Sequence, residues 1–152
     1  RRLMEALKPL SGQELQTLWK CSGAIARQNV ERLESMDLDR NLTPAILAYE
    51  GIQYRSMAPN VMEAGELDYL RQNLRILSGF YGLLRPFDGV TPYRLEMQAR
   101  LSVDGAGDLY AFWGGRLAQQ LASETDWVLN LASREYSRAV EPHLPPGVGY
   151  YL

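Results

Sequence analysis

Apolar positions recur at helical spacing near the start of the chain and give way to short unbroken runs further on. Ser11 and Glu14 stand three residues apart, the spacing of a capping box, and Leu15, Leu18 and Trp19 then fall on one helical face. Ser22 is placed to cap a second helix with Ile25, Val30 and Leu33 as its apolar positions, so the two predict a helical hairpin. Asn41 to Pro44 reads as a turn. The run from Ala45 to Tyr49, ended by Glu50 and Gly51, predicts a buried strand. Ala64 to Asn73 reads as a helix, Leu74 to Leu77 as a second buried strand, and the partial alternation from Tyr93 to Leu101 as a third. Asp108 can cap a helix running to about Ser123, with Leu109, Phe112, Trp113, Leu117 and Leu121 facing inward. Trp127 to Leu131 predicts a fourth strand. An irregular stretch with Pro142, Pro145, Pro146 and Gly147 follows, and Gly149 to Leu152 begins another strand. Short buried strands alternating with helices predict a mixed α/β (α+β) fold in one domain, residues 1–152, without repeat or linker.

Composition narrows this picture a little. The chain has 152 residues, 46% hydrophobic and 22% charged, which suits a globular chain with a real core. No apolar run is long enough for a bilayer, so no membrane partner is expected. A single cysteine, Cys21, leaves no internal disulfide and fits a reducing, cytoplasmic setting. The net charge of -2 argues mildly against nucleic acid, but the charge is uneven. Residues 71–116 carry Arg71, Arg75, Arg85, Arg94, Arg100 and Arg116 against Asp88, Glu96, Asp104 and Asp108. Arginine forks grip phosphate or carboxylate bidentately.

The candidate chemistry lies in that arginine-rich stretch. Gly79 and Gly82 bracket Phe80 and Tyr81 at the end of a predicted strand, and glycines let backbone N–H groups approach an anion closely. One reading is a phosphate-binding turn opening a helix, with Arg75, Ser78, Gly79, Tyr81, Gly82, Arg85, Arg94 and Arg100 as contacts to double-stranded DNA. The other is a tight turn whose aromatics fill the core. A second candidate site is a polar pocket of Ser78, Tyr93, Arg94, Glu96, Asn130, Ser133 and Tyr136, suited to a nucleotide or base, with Glu96 as its acid or base. Arg94 and Glu96 would share one strand face and could simply pair. His143 and Cys21 lie far apart without ligand spacing, so neither a metal nor another cofactor is expected, and no catalytic constellation emerges. Of the aromatics, Trp19, Trp113, Trp127 and Tyr110 are expected in the core, with Tyr81 best placed to stack on a base.

Three ordered motifs carry a resemblance. LRILSGFYGLLRPFDGVTPYRLEM at 74–97, DLYAFWG at 108–114 and NLASREY at 130–136 resemble signature segments of the YaaA peroxide-stress family. The resemblance covers essentially the whole chain. It implies a DNA-binding protein of the oxidative-stress response that limits free iron, with a YaaA-type fold and a helix-hairpin-helix-like turn near residues 78–85. Family members are longer, opening with a strand and a Ser-Pro-Ala-Lys type motif and ending in a basic segment. The chain is therefore expected to be the middle of a larger domain.

Overall fold

A computed structural model describes residues 1–152. Its first half is mainly helical, because its apolar residues recur at helical spacing. After α1 (Arg2–Leu7), helices α2 (Gly12–Trp19) and α3 (Gly23–Glu34) form the expected hairpin. The Ser11–Glu14 capping box closes α2, and Ser22 accepts the Ile25 N–H to start α3. The inward face of α3 differs from the expectation. Ala26, Asn29 and Leu33 are buried, whereas Ile25 is exposed. The Asn29 amide meets the cost of burial by donating to the Ile25 carbonyl.

The expected strand from Ala45 to Tyr49 is a short helix, α4 (Ala45–Ala48), after the two-residue β1 (Thr43–Pro44). An unbroken apolar run does not distinguish helix from buried strand, and here its first two amides donate to the Asp88 and Pro86 carbonyls, 2.9 and 2.8 Å away. Helix α5 (Ile52–Met57) and a single 3-10 turn at Pro59–Val61 lead to α6 (Ala64–Asn73), which falls where the sequence puts it.

The stretch after α6 corrects the helix-hairpin-helix expectation. Residues 78–85 lie in a β-hairpin: β2 (Ile76–Ser78) pairs antiparallel with β3 (Gly82–Leu84), Ser78 opposite Gly82, and no helix follows the glycines. β4 (Gly89–Val90) pairs with β1. Residues 93–101, expected as a strand, have no regular structure, yet Leu95, Met97, Ala99 and Leu101 alternate into the core. The period-2 pattern is real, but the segment pairs with no neighbouring strand. The helix expected from Asp108 is two, α7 (Leu109–Trp113) and α8 (Arg116–Glu124). Asp108 caps the first, accepting the Ala111 N–H, and Gly114 at φ 49° ends it. β5 (Trp127–Leu129), α9 (Arg134–Ser137), a 3-10 turn at Glu141–His143 and β6 (Gly149–Tyr151) complete the chain, with β5 and β6 parallel.

The result is a mixed α/β fold of nine α-helices and three separate strand pairs. The main core gathers Leu3, Leu7, Leu15 and Trp19 against Phe80, Met97, Leu109 and Leu117. A smaller one joins Ala45, Ile46, Ile76, Leu84 and Val90. No helix is long and apolar enough to cross a membrane.

The glycines of the hairpin are sites of close packing. A Cβ on Gly79 would lie 2.5 Å from the Leu95 carbonyl oxygen, and one on Gly82 would lie 2.7 Å from the Trp113 ring. Gly79→Ala is expected to lower stability by about 1–3 kcal/mol, because backbone cannot give way as a side-chain tip can. Gly65→Ala, in α6 with open space around it, is expected to raise stability by about 0.4–1 kcal/mol. Urea unfolding of the two variants checks the pair. Equal midpoints would refute the packing role of Gly79.

Candidate functional site: a buried serine–tyrosine relay

The turn of the β2–β3 hairpin is built around Ser78, which is 1% exposed. Its Oγ accepts the N–H groups of Phe80 and Tyr81, at 3.2 and 2.9 Å. A hydroxyl has two acceptor positions and one proton, so Ser78 is left to donate, and its remaining partner is the Tyr93 hydroxyl at 2.5 Å. The Tyr93 hydroxyl in turn shares a hydrogen bond of 2.6 Å with the Tyr49 hydroxyl, in which either can donate. The three hydroxyls thus form one continuous relay, Ser78–Tyr93–Tyr49, with Tyr49 at its end.

Aromatic packing holds the relay in place. The Phe80 ring stacks on Tyr93 with centroids 5.1 Å apart, and Tyr81 meets Tyr93 edge-on at 5.4 Å. The Tyr81 hydroxyl accepts the Thr91 N–H at 3.0 Å. Tyr54 stacks on Tyr49 at 5.9 Å. Burial pushes the phenols of Tyr49, Tyr81 and Tyr93 above the ordinary tyrosine value, and Tyr93 also feels Tyr49. Tyr54 is pushed up to about 12, by burial and then by Tyr49. Tyr136 is raised by burial and then by the carboxylates of Glu135 and Glu96.

The Gly79–Gly82 turn does not leave its amides open to phosphate. Ser78 takes the Phe80 and Tyr81 N–H groups, the Trp113 indole N–H donates to the Gly79 carbonyl at 2.9 Å, and both glycines pack against protein. The predicted arginines divide into two kinds. Arg75 is paired with Glu124 at 2.6 Å and also donates to the Leu74 carbonyl. Arg94 is paired with Glu96 at 3.1 Å. Arg85 and Arg100 are exposed and make no ion pair.

The predicted pocket is only partly assembled. Ser78 and Tyr93 touch each other. Arg94 and Glu96 border a separate cavity of about 10 Å³ with Trp19 and Gln98, the size of one water molecule. The Trp19 indole N–H and Arg94 Nε–H are buried there without an acceptor from the protein. Glu135 accepts the Gln98 N–H at 3.2 Å, which draws α9 and Tyr136 toward this segment. Asn130 is spent on a local turn, its Oδ1 accepting the Ala132 N–H, and Ser133 lies exposed before α9. A cavity of this size is too small for a nucleotide. No group of three or more His, Cys, Asp or Glu side chains is arranged to hold a metal.

Sequence reasoning missed Tyr49 and Tyr54. Tyr49 sat at the end of a presumed strand, and nothing local signals a hydroxyl partner 44 residues away. It also expected Trp127 in the core, whereas Trp127 is 59% exposed.

Fold and site together define a mixed α/β chain with a phenol–serine relay behind a packed glycine hairpin. Comparison with known proteins gives the family. The model of the family described as "Peroxide stress protein YaaA" matches residues 1–147, and the chain belongs to it. A UPF0246 protein of Lactiplantibacillus plantarum is 56% identical over 146 residues, covering 96% of this chain and 59% of the relative. One from Lachnoclostridium phytofermentans is 51% identical over 147 residues, covering 97% and 58%. The chain thus spans about three-fifths of the length of these relatives.

The raised phenols make stability pH-dependent at the alkaline end. A tyrosine whose folded pKa lies above its unfolded value of 10.0 keeps its proton in the native state while the unfolded chain loses it. The stabilisation is whole below pH 10 and is lost as pH rises toward about 12 through Tyr54, with Tyr93 acting in the same direction. Phenolate absorbance followed alongside circular dichroism should show these tyrosines ionising together with unfolding. Full phenolate formation in a still-folded chain would contradict the buried relay.

Proposed function

We propose that this chain is part of a cytoplasmic peroxide-stress protein that protects DNA, binding duplex phosphate and limiting free iron. The observation that carries the reading is the family match over residues 1–147. The geometry supports a specific form of it. Of the four arginines the sequence offers as phosphate contacts, the two that are exposed without a carboxylate partner, Arg85 and Arg100, are the contacts in this reading, and the Gly79–Gly82 turn is the scaffold that carries Arg85 at its far end. Arg75 and Arg94 are committed to Glu124 and Glu96 and contribute structure. Such binding is largely independent of sequence and weakens with salt, because each phosphate neutralised releases counterions.

Fluorescence anisotropy with labelled duplex DNA across a salt series tests this. Arg85→Ala and Arg100→Ala are each expected to weaken binding to unrelated duplexes by a similar factor. Each should reduce the slope of log affinity against log salt by about 0.9. Arg75→Ala should reach binding only through stability. Wild-type affinity and slope in both exposed-arginine variants would refute the assignment.

A second reading has one observation in its favour, the Tyr49 hydroxyl at the end of the relay, which has Tyr93 as its partner and capacity for one more hydrogen bond. In it the chain belongs to an enzyme or ligand-binding protein that recognises a polar group on a nucleotide or base. A nucleotide that raises the melting temperature of the wild type, with the shift lost in Tyr49→Phe, would establish this reading. An equal shift in both proteins would rule Tyr49 out.

A further inference from the structure

Trp19 and Arg94 stand 75 residues apart in the chain and meet at the small cavity beside the end of α2. Trp19 is 4% exposed, and its indole N–H is buried without an acceptor from the protein. The Arg94 Nε–H is buried in the same condition. Arg94 Nη2 is already spent, on Glu96 at 3.1 Å and on the Trp19 carbonyl at 3.5 Å. Two of the three buried side-chain polar atoms that lack a partner thus line one cavity. Buried polar groups are nearly always paired, so two donors at one place point to something that accepts from both.

The walls decide what that is. About 10 Å³ of space holds a single non-hydrogen atom. Two N–H donors and a guanidinium exclude a cation. An anion is opposed by the Glu96 carboxylate on the wall and by the last carbonyls of α2, which carry the negative end of the helix dipole. The Arg94 charge is answered by Glu96, and Lys20, also at the rim, is exposed to solvent. Glu96 accepts from Arg94 on one oxygen and from Gln98 on the other, at 3.1 and 3.4 Å, and a carboxylate has lone pairs left for further donors. The occupant must therefore accept twice and donate at least once through one atom. Water meets these conditions.

We propose that this cavity is a binding site for one long-lived water molecule, which accepts from Trp19 Nε1 and Arg94 Nε and donates to Glu96. The water joins α2 to the 93–101 segment, which has no strand partner of its own. It also completes a polar chain, since Gln98 donates its side-chain amide to Glu96 and its backbone N–H to Glu135. The brace stands whether or not the protein binds DNA.

Nuclear magnetic resonance of the 152-residue chain tests this, with Trp19→Phe to assign the Trp19 indole proton. Cross-peaks between that proton and water are expected, with opposite signs in the laboratory and rotating frames, as for water held longer than bulk exchange allows. The Trp113 indole, which donates to the Gly79 carbonyl, is the internal control and should show none. Glu96→Leu, at a side chain 43% exposed, should weaken the Trp19 cross-peak severalfold, because the water loses the acceptor for its proton. A crystal structure should place one oxygen within hydrogen-bond distance of both nitrogens. No cross-peak, or one with the signs of fast surface water, would overturn the proposal. An unchanged cross-peak in Glu96→Leu would do the same for the role of Glu96. Crystals soaked in bromide supply the last arm: an anomalous peak in the cavity would make it an anion site and refute the water.

Discussion

The structure depends on how closely two stretches of backbone approach at Gly79. The hairpin turn and the irregular 95–97 segment come together so tightly that no side chain fits between them. That approach lets Phe80 enter the main core and sets Tyr93 over the turn. It also explains how residues 93–101 stay in place without a strand partner. Their alternate side chains are anchored in the core, and their backbone lies against the hairpin. Trp113 closes the other side, its ring on Gly82 and its indole N–H on the Gly79 carbonyl. The break at Gly114 is part of the same arrangement. It turns the chain after Trp113, so that α7 presents this indole to the hairpin while α8 packs Leu117 and Leu121.

A turn buried this deeply has to satisfy its own polar groups. Ser78 does so by accepting two amides, and its own hydroxyl continues into the chain through Tyr93 to Tyr49. The relay links the two cores, since Phe80 and Tyr93 pack with the larger one and Tyr49 with the smaller. A residue pattern that looks from the sequence like an invitation to phosphate is thus used first for folding. Glycine's freedom from a Cβ serves close approach in either case, and only the identity of the approaching group separates the two uses.

Local signals were legible in the sequence where a helix carried its own cap. Ser11 with Glu14, Ser22 and Asp108 each marked a helix start that the structure contains. Signals failed where a partner distant in sequence decides the conformation. The run from Ala45 is helical because the Asp88 and Pro86 carbonyls receive its first amides. The stretch after Gly82 returns as a strand because Leu83 and Leu84 pair with Leu77 and Ile76. The same limit applies at the site. Arg94 and Glu96, two apart, were seen to be able to pair, and they do. Arg75 finds Glu124 across 49 residues, and no spacing rule points to it.

Those pairings matter for function because they decide which charges are available. A surface ion pair adds little stability, but it holds a guanidinium in place and cancels its field. Of the arginines that the sequence offered for phosphate, two are cancelled in this way and two are free. The free ones flank the packed hairpin and its partner segment: Arg85 follows β3, and Arg100 lies between the core anchors Ala99 and Leu101. Each is an exposed charge on backbone that buried neighbours hold at a fixed point. That is what a backbone-reading contact needs, since a rigid spacing of cations can follow a regular array of phosphates while mobile ones lose entropy on binding. In the proposed DNA contact, the glycine hairpin acts by fixing the backbone that presents Arg85.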